Sequence, residues 1–147
     1  MAARIKRRAA AMAAALLLAF LCCGCSDTAY AARGYCVTLE NGETRDFSAV
    51  PTVGYYMETV DGVPYFFEDE PGNACQLVPE RDEAKPDAFS SGDRIVVWWS
   101  HCEETYPGYL HIWDAELIEA GTPDSLPQSV KDEIKAISDN GRFFYAE

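Results

Sequence analysis

Reactive side chains are concentrated between residues 93 and 111 of the 147-residue chain. His101 and His111 stand ten residues apart, at opposite ends of a polar segment. If that segment is a loop between paired strands, the two rings can approach and, with Cys102 or Glu103, ligate zinc. Unrelated surface or half-buried histidines are the commoner outcome of such spacing. We therefore predict no metal site and no cofactor.

The same segment offers groups for hydrolysis, which needs a nucleophile, a base and an orienting group within hydrogen-bond reach. The candidates are Asp93, His101, Glu103, Glu104 and Tyr106. The sequence has neither a serine-centred glycine elbow nor a zinc-protease helix motif. We predict a protein that is not an enzyme and has no catalytic residue. An extracellular hydrolase using groups in residues 100–108 is the alternative, and Trp98, Glu104 and Tyr106 are the candidate binding residues.

Two apolar runs must position these groups. The run 95–99 follows a Ser-Ser-Gly-Asp turn, and the run 109–118 follows the bend that Tyr106-Pro107-Gly108 closes. β-Branched and aromatic residues favour strands, so we predict two long antiparallel strands joined by a shaped loop. Both faces of the first strand are apolar, which predicts that it is covered on both sides. Broken alternation predicts a bulge near Ile112 or Trp113.

Two hairpins precede this pair. The first joins residues 34–40 to residues 43–47 through Asn41-Gly42, and Pro51 is expected to end its second strand. The second joins residues 55–60 to residues 63–67 through Asp61-Gly62. Its aromatic side chains are compatible with a ligand platform, but core packing is the favoured interpretation.

Near the C-terminus, the spacing of apolar residues predicts one amphipathic helix, from about residue 126 to residue 139, capped by Ser125. Its apolar stripe consists of Leu126, Val130, Ile134 and Ile137. The predicted fold is mainly β: a small antiparallel OB-like barrel or strongly curled sheet over residues 34–120. A linker and the helix follow over residues 121–147.

The start of the chain has the features of a signal peptide, assigned to residues 1–24. A basic segment precedes the apolar segment 9–21, which is shorter than the about 20 residues of a membrane-spanning helix. The sequence Leu21-Cys-Cys-Gly-Cys25 resembles a bacterial lipobox, although Cys22 stands where leucine is usual. We predict that Cys25 carries diacylglycerol and a further acyl chain, with Cys23 as a second candidate.

Lipidation places the protein on the outer face of the cell membrane, with membrane lipid as a partner and residues 25–33 as a tether. Ordinary secretion, with cleavage near residues 29–32, is the alternative. Export allows disulfides to persist. The remaining cysteines are Cys36, Cys75 and Cys102. We expect one bridge and one free thiol, and favour Cys75–Cys102 because both residues lie in loops beside the central strands.

The net charge of the chain limits the kinds of molecule that it can bind. After Cys25 the chain has eight basic and 24 acidic side chains, a net charge of −16. This field repels phosphate backbones, so we predict no nucleic-acid binding. The predicted function is that of a membrane-anchored extracytoplasmic lipoprotein whose non-catalytic β-domain binds a small ligand, a glycan or a partner protein. A cation-responsive structural module is a further alternative.

Two short motifs carry a family resemblance. Gly92-Asp-Arg-Ile-Val-Val97, followed by Glu104-Thr-Tyr-Pro-Gly108, resembles the signature of the YobA-like family of small bacterial lipoprotein domains. Thr105 stands where that family usually has serine, and the strict match covers about a dozen residues. The resemblance implies a compact β-domain on the outer cell surface and implies no reaction.

Overall fold

A computed structural model describes residues 30–69 and 73–139 of the chain. Within these ranges it contains six strands, two short 3-10 turns and one α-helix. In chain order the strands and the helix are β1 (Arg33–Thr38), β2 (Thr44–Glu58), β3 (Pro64–Glu68), β4 (Ala74–Pro79), β5 (Arg94–Glu103), β6 (Gly108–Glu119) and α1 (Gln128–Ser138). The first 29 residues, including Cys25 and the predicted lipobox, lie outside the described residues.

Five of the strands close into a barrel in the order β2–β3–β4–β6–β5, with β5 pairing back onto β2. All of these pairings are antiparallel except that of β4 with β6, which is parallel. The predicted fold class is therefore confirmed: the chain forms a small OB-like barrel with a C-terminal helix. The parallel pairing of β4 with β6 corrects the expectation that all strands of the barrel pair in antiparallel fashion. It places residues 75–79 of β4 beside residues 108–112 of β6.

The expectation that Pro51 ends a strand is wrong. β2 is 15 residues long, and Pro51 lies in its middle. The strand pairs first with β1 and then with β5 and β3. Pro51 lies after the last residue paired with β1 and before the first residue paired with β3, so β5 is its only strand partner. A missing N–H is tolerated at such a position.

The barrel interior is filled from alternating positions of its strands. The run 95–98 is buried on both faces, as predicted. The aromatic residues of the second hairpin are core residues, which confirms the packing interpretation for Tyr56, Tyr65, Phe66 and Phe67. The predicted bulge is also present, because the β5–β6 register skips Trp113 between Trp98 and Trp99.

The C-terminal helix packs on the outside of the barrel. Its predicted stripe is buried against Met57, Tyr65, Phe67 and Ala74. The expected cap is wrong in detail, because Ser125 ends a 3-10 turn and Pro127 is the residue that precedes α1. The hydroxyl of Ser125 instead donates to the carbonyl of Thr122 at 2.7 Å.

Candidate functional site

The two histidines meet across the β5–β6 ladder. His101 pairs with His111, and their ring centroids lie 3.8 Å apart with planes at 15°. A second register shift, between Trp99 and His101, leaves Ser100 without a ladder partner. The two irregularities therefore set which residues of β5 face which residues of β6 at the end of the ladder.

His111 lies between two carboxylates. Its Nδ1 donates to Oε1 of Glu80 at 2.5 Å, and its Nε2 lies 3.2 Å from Oε1 of Glu103. Glu80 directly follows β4, and its backbone N–H donates to the carbonyl of Ile112 at 2.9 Å. Three strand ends thus contribute to one cluster, which we call the histidine cluster: Glu80, His101, Glu103 and His111.

The carboxylates favour a charged imidazole. Burial by itself lowers the pKa of His111, but hydrogen bonds to Glu80 and Glu103, and the negative charges of both, outweigh it. The net result is a pKa above the ordinary value for histidine. The two carboxylates thus stabilise the protonated form of His111 relative to the neutral form.

The histidine cluster has the donor set of a transition-metal site. One nitrogen each from His101 and His111 and one oxygen from Glu103 lie within 4.8 Å of one another. Zinc binds histidine nitrogen and carboxylate oxygen at about 2.0–2.2 Å, so two ligand atoms of one ion lie up to about 4 Å apart. Because an imidazole lone pair lies in the plane of its ring and the two rings are stacked, at least one of the histidine rings must turn before both nitrogens face one ion.

Glu80 has the position of a supporting residue in such a site. Histidines that bind metal commonly donate their other ring N–H to a carboxylate, which selects the tautomer and orients the ring. Glu80 accepts from Nδ1 and leaves Nε2 directed at Glu103. The structure therefore assembles both halves of the arrangement, the ligand atoms and the group that orients one of them.

Cys102 does not belong to the histidine cluster. Side chains alternate along β5, so Cys102 faces away from its neighbours, and its Sγ lies 3.8 Å from Sγ of Cys75. Both are free thiols in this structure. The sequence thus predicted the right pair of neighbours, but the predicted bond is not formed here, and the two residues lie in β4 and β5 rather than in the expected loops.

The predicted binding residues lie in different surroundings. Trp98 is buried, its indole N–H donates to the carbonyl of Ala31 at 2.9 Å, and the guanidinium of Arg33 lies 3.4 Å from its ring centroid. Tyr106 is 57% exposed, with its hydroxyl 3.4 Å from Oε1 of Glu133. Glu104 is exposed. Little of the Trp98 ring is left for a ligand, whereas Tyr106 and Glu104 are accessible.

A cleft of about 410 Å³ adjoins the histidine cluster and shares Glu80 with it. Tyr35 and Trp113 line it with Arg81. Phe47 stacks on Trp113 at 5.4 Å, and Tyr35 packs on the same ring at 5.3 Å. The aromatic rings thus pack against each other, and Glu80 and Arg81 supply the charged groups of the lining.

Glu80 is the residue that sequence reasoning missed. It lies in a charged segment whose sequence predicts an exposed loop. No local pattern links it to His111, which is 31 positions later in the chain. Only the parallel pairing of β4 with β6 brings the two together.

Comparisons of the chain with protein-family models, curated proteins and solved structures found no match. Over residues 30–69 and 73–139, no helix is both long enough and apolar enough to cross a membrane.

Proposed function

We propose that this chain is a membrane-anchored extracytoplasmic lipoprotein whose non-catalytic barrel binds a divalent transition-metal ion at the histidine cluster. The observation that carries the proposal is His111 held between Glu80 and Glu103 and stacked on His101. This narrows the binding function expected from the sequence to one class of small ligand.

The donor set indicates the kind of ion. Imidazole suits zinc, copper and nickel, whereas calcium and magnesium prefer sites made of oxygen atoms. Two imidazoles with one carboxylate therefore favour a zinc-like ion. A divalent cation would also offset the negative charges of Glu80 and Glu103, in a chain with a net charge of −16 after Cys25.

The anchor and the family resemblance are parts of the same proposal. Support for them comes from the Gly24-Cys25 lipobox and from the paired motifs at residues 92–97 and 104–108. An acidic domain tethered at a membrane surface presents its exposed groups to the external medium, where it meets metal ions directly.

Zinc titration of the full-length protein in detergent, against a chromophoric chelator, tests the site. We expect one zinc-binding event that weakens by at least about tenfold in Glu103→Gln and in His111→Ala. Glu104→Gln is the matched control, because it removes the neighbouring exposed carboxylate and leaves the histidine cluster intact. All variants keep the same cysteines, so a contribution of thiols to zinc binding is equal among them. Equal affinity of Glu103→Gln and Glu104→Gln would overturn the proposal.

The role of Glu80 is tested separately. Supporting carboxylates typically contribute about 10- to 100-fold in metal affinity. Glu80→Gln should therefore weaken zinc binding without changing the stoichiometry, because the three ligand atoms remain. A loss of stoichiometry would instead assign Glu80 as a direct ligand.

The hydrolase alternative is favoured less by the geometry. Asp93 lies just before β5 and His101 near its other end, more than about 20 Å away along the strand. The groups named from the sequence therefore do not all converge. Zinc-dependent turnover of peptide or ester substrates, lost in Glu103→Gln but not in Glu104→Gln, would support the alternative.

A further inference from the structure

Cys75 and Cys102 approach each other across an intervening strand. Cys75 belongs to β4 and Cys102 to β5, with β6 between them. The residue of β6 at this point is Gly108, and a Cβ there would lie 3.2 Å from both sulfur atoms. The absence of a side chain at position 108 is what lets the thiols meet.

The thiol pair and the histidine cluster share three consecutive residues of β5. His101 and Glu103 face His111 on one side of the strand. Cys102, between them, pairs with the buried Leu110 and turns its sulfur toward Cys75. A covalent bond at Cys102 therefore acts on the backbone that positions two of the three proposed metal ligands.

The two thiols differ in accessibility. Cys102 is exposed, whereas Cys75 is buried. Burial raises the pKa of Cys75 to about 12, and the proximity of Cys102 adds to this effect. An external reagent consequently reaches Cys102 first.

We propose that Cys75 and Cys102 form a reversible disulfide over Gly108, and that closing it tightens metal binding at the histidine cluster. The second half of this inference rests on the proposed metal-binding function.

The oxidant is a disulfide, such as an oxidised dithiol protein of the extracytoplasmic space or oxidised glutathione in vitro. The thiolate of Cys102 attacks one sulfur of that disulfide, which forms a mixed disulfide and releases one thiol. Cys75 loses its proton to solvent, and its thiolate attacks the Cys102 sulfur to form the internal bond. The external group leaves as a thiolate, which takes up a proton from solvent and becomes the second thiol. One external disulfide is thereby reduced to two thiols while the two protein thiols are oxidised.

Closure requires the sulfur atoms to move from 3.8 Å to a bonded distance of about 2.05 Å, and because β6 separates the two residues the backbones of β4 and β5 must also approach each other here. The bond joins β4 to the end of β5 that is followed by the loop. Restricting that end of the backbone removes part of the conformational freedom that metal binding otherwise removes. We therefore expect zinc affinity to rise by about two- to tenfold.

Peptide mapping of the full-length protein tests bond formation. Trypsin places Cys36, Cys75 and Cys102 on three different peptides, residues 34–45, 46–81 and 95–131. After treatment with oxidised glutathione, the last two should be recovered as one linked species that dithiothreitol separates. The Cys36→Ser variant should behave in the same way. Recovery of the two peptides unlinked would overturn the inference.

Zinc titrations of oxidised protein and of the Cys75→Ser/Cys102→Ser variant, in the absence of reductant, test the coupling. The Cys36→Ser variant is the control for loss of a thiol. Tighter binding by the oxidised protein supports the inference. Equal affinity overturns the coupling and leaves the proposed function intact, whereas no zinc binding by either form overturns the proposed function.

Discussion

At the scale of single residues, Asp93 shows how a reactive side chain becomes structural. Its carboxylate is buried and accepts from the backbone N–H groups of Ser90, at 2.8 Å, and Gly121, at 2.9 Å. It thereby ties the turn that enters β5 to the segment that follows β6. Ser90 is a local partner, whereas Gly121 lies 28 positions later in the chain.

Gly92 allows this arrangement. It has a φ of +99°, and a Cβ there would lie 2.2 Å from the carbonyl carbon of Thr122. Gly92→Ala should lower the free energy of unfolding by at least about 2 kcal/mol, since the left-handed backbone alone costs about 1–2 kcal/mol. Urea denaturation measures it, and Gly34→Ala is the control, because nothing lies within 4 Å of its Cβ. If both variants lower the free energy of unfolding by the same amount, the close approach of Gly92 to Thr122 does not contribute to stability.

At the scale of elements, the helix is held by more than its apolar stripe. Glu133 of α1 is buried, and its Oε1 accepts from the backbone N–H of Ala74 at 3.0 Å. Tyr106, in the loop before β6, reaches the same oxygen. One side chain of the helix therefore connects it to the start of β4 and to the loop.

Glu133→Ala should destabilise the protein by about 1–3 kcal/mol, because the N–H of Ala74 loses its acceptor in a buried position. Glu133→Gln keeps an oxygen acceptor and should lose less. Asp132→Ala, on the exposed side of the same helix, removes only a surface contact with Gln128 and should change stability by less than about 0.5 kcal/mol. Thermal unfolding distinguishes the three, and equal stability of Glu133→Ala and Asp132→Ala would contradict the role of Glu133.

At the scale of the whole molecule, the proposed anchor determines where the barrel operates. Cys25→Ser should abolish incorporation of labelled palmitate in a bacterial host, because the thiol that receives the lipid is gone. Cys23→Ser tests the second candidate, and Cys36→Ser, at an exposed cysteine of β1, is the control. If the label is retained in Cys25→Ser but lost in Cys23→Ser, the lipid is attached to Cys23. Wild-type protein recovered from the medium without acyl chains would refute anchoring.

The hairpins, the strand covered on both faces, the bulge at Trp113 and the helical stripe were all predictable from the sequence. Each depends on residues close together in the chain, whose alternation or helical spacing reveals which side is buried. Pro51 misled the sequence reading, because its effect depends on which strands flank it. Ser125 misled it because its hydroxyl bonds to Thr122 within a separate turn.

The sequence by itself thus determined most of the strands, the helix and the acidity of the chain after Cys25, since these follow from local pattern and composition, but not that residues 44–58 form one strand. The strand order of the barrel was decided only in three dimensions. The parallel pairing of β4 with β6 carries Glu80 to His111 and Cys75 to Cys102, pairs that are 31 and 27 positions apart. Contacts of that range depend on barrel closure, which no short stretch of the chain specifies.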